Sequence, residues 1–487
     1  MLTALGYETS NSMAPPVFLE CRAESARPVM KRSNLLKLRT LLMLLPVLGA
    51  GVLFSFAGPA AAADGDTAAI QPGTAYVPGE LIVQYEDEAA PSTVAIPDTA
   101  DPVEVAELVE DQASVESASP NYVARISGWM PDDPGVNGRK GGRVAGWQDK
   151  QWNFLPCLSL CHKGASSGRQ SLGGMNVLRA WRELRKVGRP GARGVKVAVL
   201  DTGVAYRNHG KRFRIDPDLK ASTFLPGYDF VERDRLPLDR NGHGTHVTST
   251  IAQATDNGRG LTGVAYGAKV IPVRVMDANG FGTTANIIKG VRWAADHGAR
   301  VASMSLNFAC GVSIPPLEEA LRYAHSKGVV LIGSSGNKGA QTCPSLPATS
   351  RQVISVGGTT ESGCVANYSF RSAAIDIAAP GGGSTRNGCP DRTGDRPILQ
   401  VGMVGQDPAW FGIEPGWKGT SMAAAHVAGA AAMVIASDAL QGKRGPSQIR
   451  KRLLSTARLP AHARNDPESG MGAGILNLGK AVDPNHP

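Results

Sequence analysis

The sequence predicts an α/β protein: a predominantly parallel sheet covered by helices on both faces. Two observations carry that expectation. Short apolar runs without polar alternation, VKVAVL (195–200), VIPVRV (270–275), VASMSL (301–306) and VVLIGS (329–334), read as strands buried on both sides. Helical patterns lie among and after them, at 285–297, at 317–327 and onward from Ser421, and strands alternating with helices build a parallel sheet between two helical layers. Ligands of such sheets sit beyond the carboxyl ends of the strands.

Composition agrees. With 487 residues, 42% hydrophobic and 19% charged, the chain is globular with a large core, and its length suggests about two or three units. The 58 glycines and 33 prolines follow no repeat and read as turn chemistry. Charge is unevenly spread. The net charge is +9, yet residues 51–124 hold thirteen acidic groups and no Lys or Arg, so an acidic segment precedes a strongly basic body. Opposite fields attract, and the two parts are expected to associate. No basic run interleaved with aromatics occurs, so no nucleic-acid partner is expected.

From the N-terminus, MKRSNLLKLR (30–39) is basic, LLMLLPVLGAGVLFSF (41–56) apolar and AGPAAAAD (57–64) small, the layout of a secretory signal with an A-x-A cleavage site. A membrane anchor competes with that reading, but the run is short for a span and contains Pro46 and two glycines. Residues 30–63 are therefore expected to be a signal peptide and 1–29 a non-native extension, with no stable membrane anchor and a secreted product, extracellular or periplasmic. Six cysteines follow the signal, and an even count after export implies disulfides; the pairs expected are Cys157–Cys161, Cys310–Cys343 and Cys364–Cys389. No CxxC pair supports zinc. YVPGELIVQYE (76–86) reads as a strand, residues 103–126 as an acidic helix then a strand, and 127–150 as a Gly- and charge-rich linker.

Three places join a reactive group to glycine punctuation. VAVLDTGV puts Asp201 directly after a buried strand, NGHGTHVTSTIA puts His243 at a helix start, and GTSMAAAHVAG does the same for Ser421. Each has a plainer reading. An Asp at a strand end closes turns, a Ser before an apolar run caps a helix, and the two imidazoles of HGTH could join Asp201 on a metal, although no fourth ligand is evident. Taken together, an acid that orients an imidazole, an imidazole that takes a proton and a hydroxyl that attacks make a nucleophilic triad. The order Asp…His…Ser is not that of an α/β-hydrolase, which also needs G-x-S-x-G where this chain has Ala423 two residues after Ser421.

On DTG (201–203), HGTHV (243–247) and GTSMA (419–423) the chain resembles the subtilisin-like serine proteases, over roughly 152–484. The resemblance implies a secreted serine endopeptidase that cleaves proteins through an acyl-enzyme on Ser421, with Asp201 as orienting acid and His243 as general base and acid. It assigns SSGN (334–337) to the loop whose Asn337 helps bind the oxyanion, with the Ser421 N–H as second donor. It also makes Met304, Ser305 and Leu306, and Gly280 and Gly282, edge strands along an extended substrate, with Asn307, Ser334, Ser335 and Gly336 beside them. VPGELIVQY and SVESASPNYV resemble the start and end of the family's inhibitory propeptide, with a shortened middle. Residues 64–126 thus become a small α+β propeptide, 127–150 a processing linker and 151–487 the peptidase domain of an autoprocessed zymogen.

Partners implied are protein and peptide substrates and the chain's own propeptide, and a monomer is expected. No cofactor is required. Calcium sites are frequent in the family, but no local ligand cluster in this sequence supports one, and no metal-binding residue is assigned. Two departures stand out: Ala424-Ala425 replaces the usual Ser-Pro, and Asn307 the usual Gly, which is expected to reshape the specificity pocket. A catalytically dead homologue acting as a secreted binding protein, and a peptide ligase sharing the acyl-enzyme, stay open at this point.

Overall fold

The computed structural model describes residues 76–88, 90–122, 129–136, 146–157, 170–339, 345–385, 389, 396–460 and 470–486. The expected extension, the signal peptide, Cys161 and Cys343 lie outside them. The first described element is the strand expected at 76–86. This β1 (Tyr76–Tyr85) turns Leu81 and Val83 inward and pairs antiparallel with β2 (Ser92–Ala95). An acidic helix, α1 (Pro102–Glu110), and β3 (Val115–Tyr122) complete a three-stranded α+β module in the order β2-β1-β3. Asp101 opens α1 by accepting a bond from the Val103 N–H at 2.9 Å, and Pro102 occupies the first turn, where no N–H is needed.

The main body follows the predicted alternation. Its elements are α2 (Val177–Lys186), β4 (Lys196–Asp201), β5 (Thr223–Phe224), β6 (Tyr228–Asp229), α3 (His243–Ala252), β7 (Lys269–Arg274), α4 (Thr284–Asp296), β8 (Val301–Met304), α5 (Pro315–Ser326), β9 (Val330–Ser334), β10 (Val353–Thr359), β11 (Ile377–Pro380), β12 (Val401–Met403), β13 (Phe411–Ile413), α6 (Thr420–Ala436) and α7 (Pro446–Ser455). The central sheet runs β11-β10-β9-β8-β4-β7-β5, with β6 also on β7, and every pairing in it is parallel. Along β4, Val197 and Val199 pack into one core with α6, while Ala198 and Leu200 pack into the other with residues of α4 and α5. Burial on both faces is why the run lacks alternation. Helix α6 is buried along its whole length, and its alanines let it lie close to its neighbours. Gly429 marks the tightest approach: a Cβ there would sit 2.8 Å from the Val264 Cβ.

One expectation needs correction. The stretch read as a linker, 127–150, is in its described parts packed into the core. Trp147 is fully buried, Trp129 lies edge-on against Trp181 at 6.1 Å, and the Trp129 Nε1–H donates to Asp256 Oδ2 at 2.7 Å. A tryptophan buries roughly 150–250 Å², which outweighs the surrounding Gly and charge content. Of the expected disulfides, Cys364–Cys389 is formed and Cys310 is disulfide-bonded, while Cys343 and Cys161, the partners expected for Cys310 and Cys157, lie outside the described residues.

Near the Trp129 strap three carboxyls, Asp133, Asp216 and Asp218, are pushed up to about 7, chiefly by burial. The folded chain therefore holds protons that the unfolded chain releases, so these groups cost stability as pH rises from about 4 to about 7. Asp216 is the simplest to test: its Oδ1 accepts from the Asp218 N–H at 2.9 Å and its Oδ2 has no partner among the described residues. Asp216→Asn, made in an inactive background to prevent autolysis, is expected to remove one proton's share of that slope, about 1.4 kcal/mol per pH unit. Urea midpoints across that window measure it. Parallel profiles for parent and variant would mean that Asp216 is ionised in the folded protein.

Candidate active site

Sheet register brings the predicted residues to one end of the molecule. Leu200 is level with Met304, and Met304 with Gly333, so Asp201, Ser305 and Ser334–Ser335 emerge together at the carboxyl edge. Asp201 is 2% exposed, and its carbonyl accepts from the Val275 and Met276 N–H groups at 2.9 and 3.2 Å. Its Oδ1 takes the Thr202 N–H at 2.8 Å and His243 Nδ1 at 2.7 Å. A carboxylate only accepts, so the proton is on Nδ1 and Nε2 is left as the basic nitrogen. Burial pulls the His243 pKa down, but the charge and hydrogen bond of Asp201, helped by the charge of Asp239, hold it above the ordinary value. Gly244 permits this closeness, since a Cβ there would lie 2.2 Å from the Gly203 carbonyl oxygen.

Asp239 escaped the sequence reading. It is 1% exposed and gathers the loop that carries His243: Oδ1 accepts from the Thr202 hydroxyl and the Asn241 and Gly242 N–H groups, Oδ2 from the Thr245 N–H and hydroxyl, all at 2.6–3.0 Å. The only signal was an Asp ahead of Asn-Gly, which reads as a turn. The second histidine of HGTH is not a ligand. His246 is buried, donates from Nε2 to the Ile398 carbonyl at 3.0 Å, and burial pushes its pKa down to about 3. Among the described residues no three carboxylate, His or Cys side chains converge to hold a metal. The buried Asp218 accepts from Gln253 Nε2, Asn257 Nδ2 and the Leu261 N–H.

Ser421 is the second residue of α6 and 8% exposed. Its hydroxyl points to the Ser305 carbonyl at 3.5 Å and makes no bond to His243, while the Ser305 hydroxyl donates to the Ser421 carbonyl at 3.1 Å. Asn337 Oδ1 accepts from the Thr420 N–H and hydroxyl at 2.8 and 2.9 Å, which frees its Nδ2 as a donor. The Gly336 N–H donates to the Thr420 hydroxyl at 3.1 Å. Trp417 closes the far side, edge-on to the His243 ring at 5.6 Å.

Residues 280–282 and 305–306, expected to flank an extended substrate, lie outside the strands of the sheet. β8 ends at Met304 inside the sheet, and Ser305–Leu306 leave the ladder to run against Ser421. Gly280 and Gly282 lie in a turn closed by Asp277, which accepts the Phe281 N–H on Oδ1 at 2.9 Å; Asn241 Nδ2 ties that turn to the His243 loop through the Ala278 carbonyl at 2.9 Å. Asn307 spans to Ser334, donating from Nδ2 to its carbonyl at 2.6 Å and accepting its hydroxyl at 3.2 Å, while the Ser335 N–H bonds the Val356 carbonyl.

A parallel α/β sheet with an Asp–His pair and a helix-start serine at its carboxyl edge is the layout of a serine hydrolase with the chain order Asp…His…Ser. The family is more specific. The subtilase (peptidase S8) family model matches residues 192–474, and the chain belongs to that family: it is a serine endopeptidase. It is 30% identical over 406 residues to a thermophilic serine proteinase of Bacillus sp. (strain AK1), covering 79% of this chain and 83% of that protein. To thermitase of Thermoactinomyces vulgaris it is 36% identical over 293 residues, 59% of this chain and 88% of thermitase. A solved protease of Pseudoalteromonas arctica PAMC 21717 superposes with a TM-score of 0.55 at 30% identity, over 73% of this chain and 99% of that one. Among the described residues no helix is long and apolar enough to cross a membrane.

Proposed function

We propose that Ser421 is the nucleophile of a secreted, self-processing endopeptidase, with His243 as general base and acid and Asp201 as its orienting acid. The observation that carries this is the 2.7 Å bond between His243 Nδ1 and Asp201 Oδ1, which leaves Nε2 able to take a proton. Attack requires the Ser421 hydroxyl to swing from the Ser305 carbonyl to Nε2, a tightening that substrate binding commonly brings. The tetrahedral oxyanion then falls between the Ser421 N–H, at the positive end of α6, and Asn337 Nδ2. His243 returns the proton to the leaving amine, and water hydrolyses the acyl-enzyme by the same path. Base, nucleophile and donors all come from the chain, so no cofactor is invoked. Labelling by a fluorophosphonate, located by peptide mass, tests the reading; modification at another serine would overturn it.

Asn337→Ala is expected to lower kcat by roughly 10²–10³ with little change in KM, the scale known for the equivalent donor of subtilisin, because the bond matters mainly in the transition state. Steady-state kinetics decide. A pure KM effect would mean that Asn337 only holds substrate.

The signal-like N-terminus supports export, as does similarity to a protein named extracellular protease from Xanthomonas campestris. We assign the acidic α+β module at 76–122 as the inhibitory propeptide. Trp129 is anchored to Asp256, which favours a processing cut upstream of it, with the strap kept in the mature enzyme.

A further inference from the structure

We propose that the enzyme prefers an acidic side chain on the residue that donates the scissile carbonyl. The inference rests on the reading of Asn337 as the oxyanion donor, since a side chain adjacent to that carbonyl must enter the space beside Asn337. A cavity of about 360 Å³ opens there, lined by Asn307, Phe308, Asn337, Lys338, Ser345 and Phe370 among others. Its chemistry is one-sided. Lys338 is the only charged residue in the lining, is exposed, and has no hydrogen-bond or carboxylate partner among the described residues. Ser345 is 5% exposed, and its hydroxyl has no hydrogen-bond partner among the described residues. By contrast, both amide atoms of Asn307 are spent on Ser334, so this residue forms a closed wall and offers little to a ligand.

A carboxylate satisfies what is left over. It accepts from the ammonium and from the hydroxyl at once, and it removes the unpaired charge from the rim. A lysine or arginine side chain would meet like charge, which costs binding. An aromatic side chain would find Phe308 and Phe370 but leave both polar groups unpaired. The wider field acts in the same direction, because the basic body of the chain attracts acidic segments.

The test uses enzyme recovered after expression of the full chain, with four peptides identical except for Glu, Gln, Phe or Lys at that position. A charge-assisted bond is worth enough to favour Glu over Gln by about tenfold in kcat/KM. The preference should shrink with added salt, and Lys338→Glu should invert the Glu-to-Lys ratio. Ratios within one preparation do not depend on how much of a variant folds. A preference for Phe that survives Lys338→Glu would overturn the proposal and make the cavity an apolar pocket. Cleavage with no preference among the four would overturn it too, while leaving the catalytic reading intact. Failure to cleave any of them, with no serine labelled, would bring down that reading and this one together.

Discussion

Ser421→Ala, or His243→Ala, is expected to lower kcat by about 10⁶, the scale recorded for removal of these groups from subtilisin, a relative of this chain. Either change removes a whole step. Without the hydroxyl there is no acyl-enzyme, and without Nε2 the hydroxyl keeps its proton. The pair should therefore be non-additive, the double variant falling no further than either single one. What remains should exceed the uncatalysed rate, since the donors proposed for the oxyanion, Asn337 and the backbone N–H at 421, are untouched by either change. The same variants report on maturation. Expressed without other proteases, the Ser421→Ala chain should keep its acidic module, whereas the parent yields an N-terminus upstream of Trp129. Full activity in Ser421→Ala would refute the nucleophile. An intact second cut in that variant would refute self-processing alone.

Much of this was legible in the sequence because burial on both faces writes itself plainly. The runs that became β4, β7, β8 and β9 are mostly apolar with no polar alternation, as strands buried on both faces are. Their ends were less clear. β8 stops at Met304, two residues short of the apolar run, because Ser305 leaves the ladder to bond Ser421. β5 and β6 have two residues each, too few to show a period. Among the site residues, Asp201, His243 and Ser421 stand out because each pairs a reactive group with glycine. Asp239 does not, for its meaning lies in donors drawn from Thr202 and Thr245, which the fold alone brings to it. Trp129 and Trp147 were hidden in the same way, as anchors inside a stretch whose average composition says loop. The direction of the Ser421 hydroxyl is a rotamer, and no sequence pattern encodes it.

Asp201→Asn separates orientation from charge. The amide is nearly isosteric, so the strand end can keep its shape, and the Thr202 N–H keeps its acceptor where the amide oxygen holds the Oδ1 place. The ring then has two choices. If the amide turns its Nδ2 to His243, Nδ1 must accept, the proton moves to Nε2, and the nitrogen facing the serine can no longer act as a base. If Oδ1 stays in place, the tautomer survives but the imidazolium formed during attack has lost the neighbouring negative charge. Both raise the barrier, and kcat is expected to fall by about 10⁴, less than on losing the nucleophile or the base. The pH profile should change in a defined direction. In the parent, burial lowers the His243 pKa but Asp201 more than offsets it, so activity is lost as pH falls through a raised value. Removing the Asp201 charge leaves the burial effect less opposed, and the acid limb of kcat/KM should move to lower pH even as the plateau drops. A loss of less than about tenfold, or an acid limb that does not move, would show that Asp201 neither orients nor charges the base, and that the 2.7 Å contact is structural only.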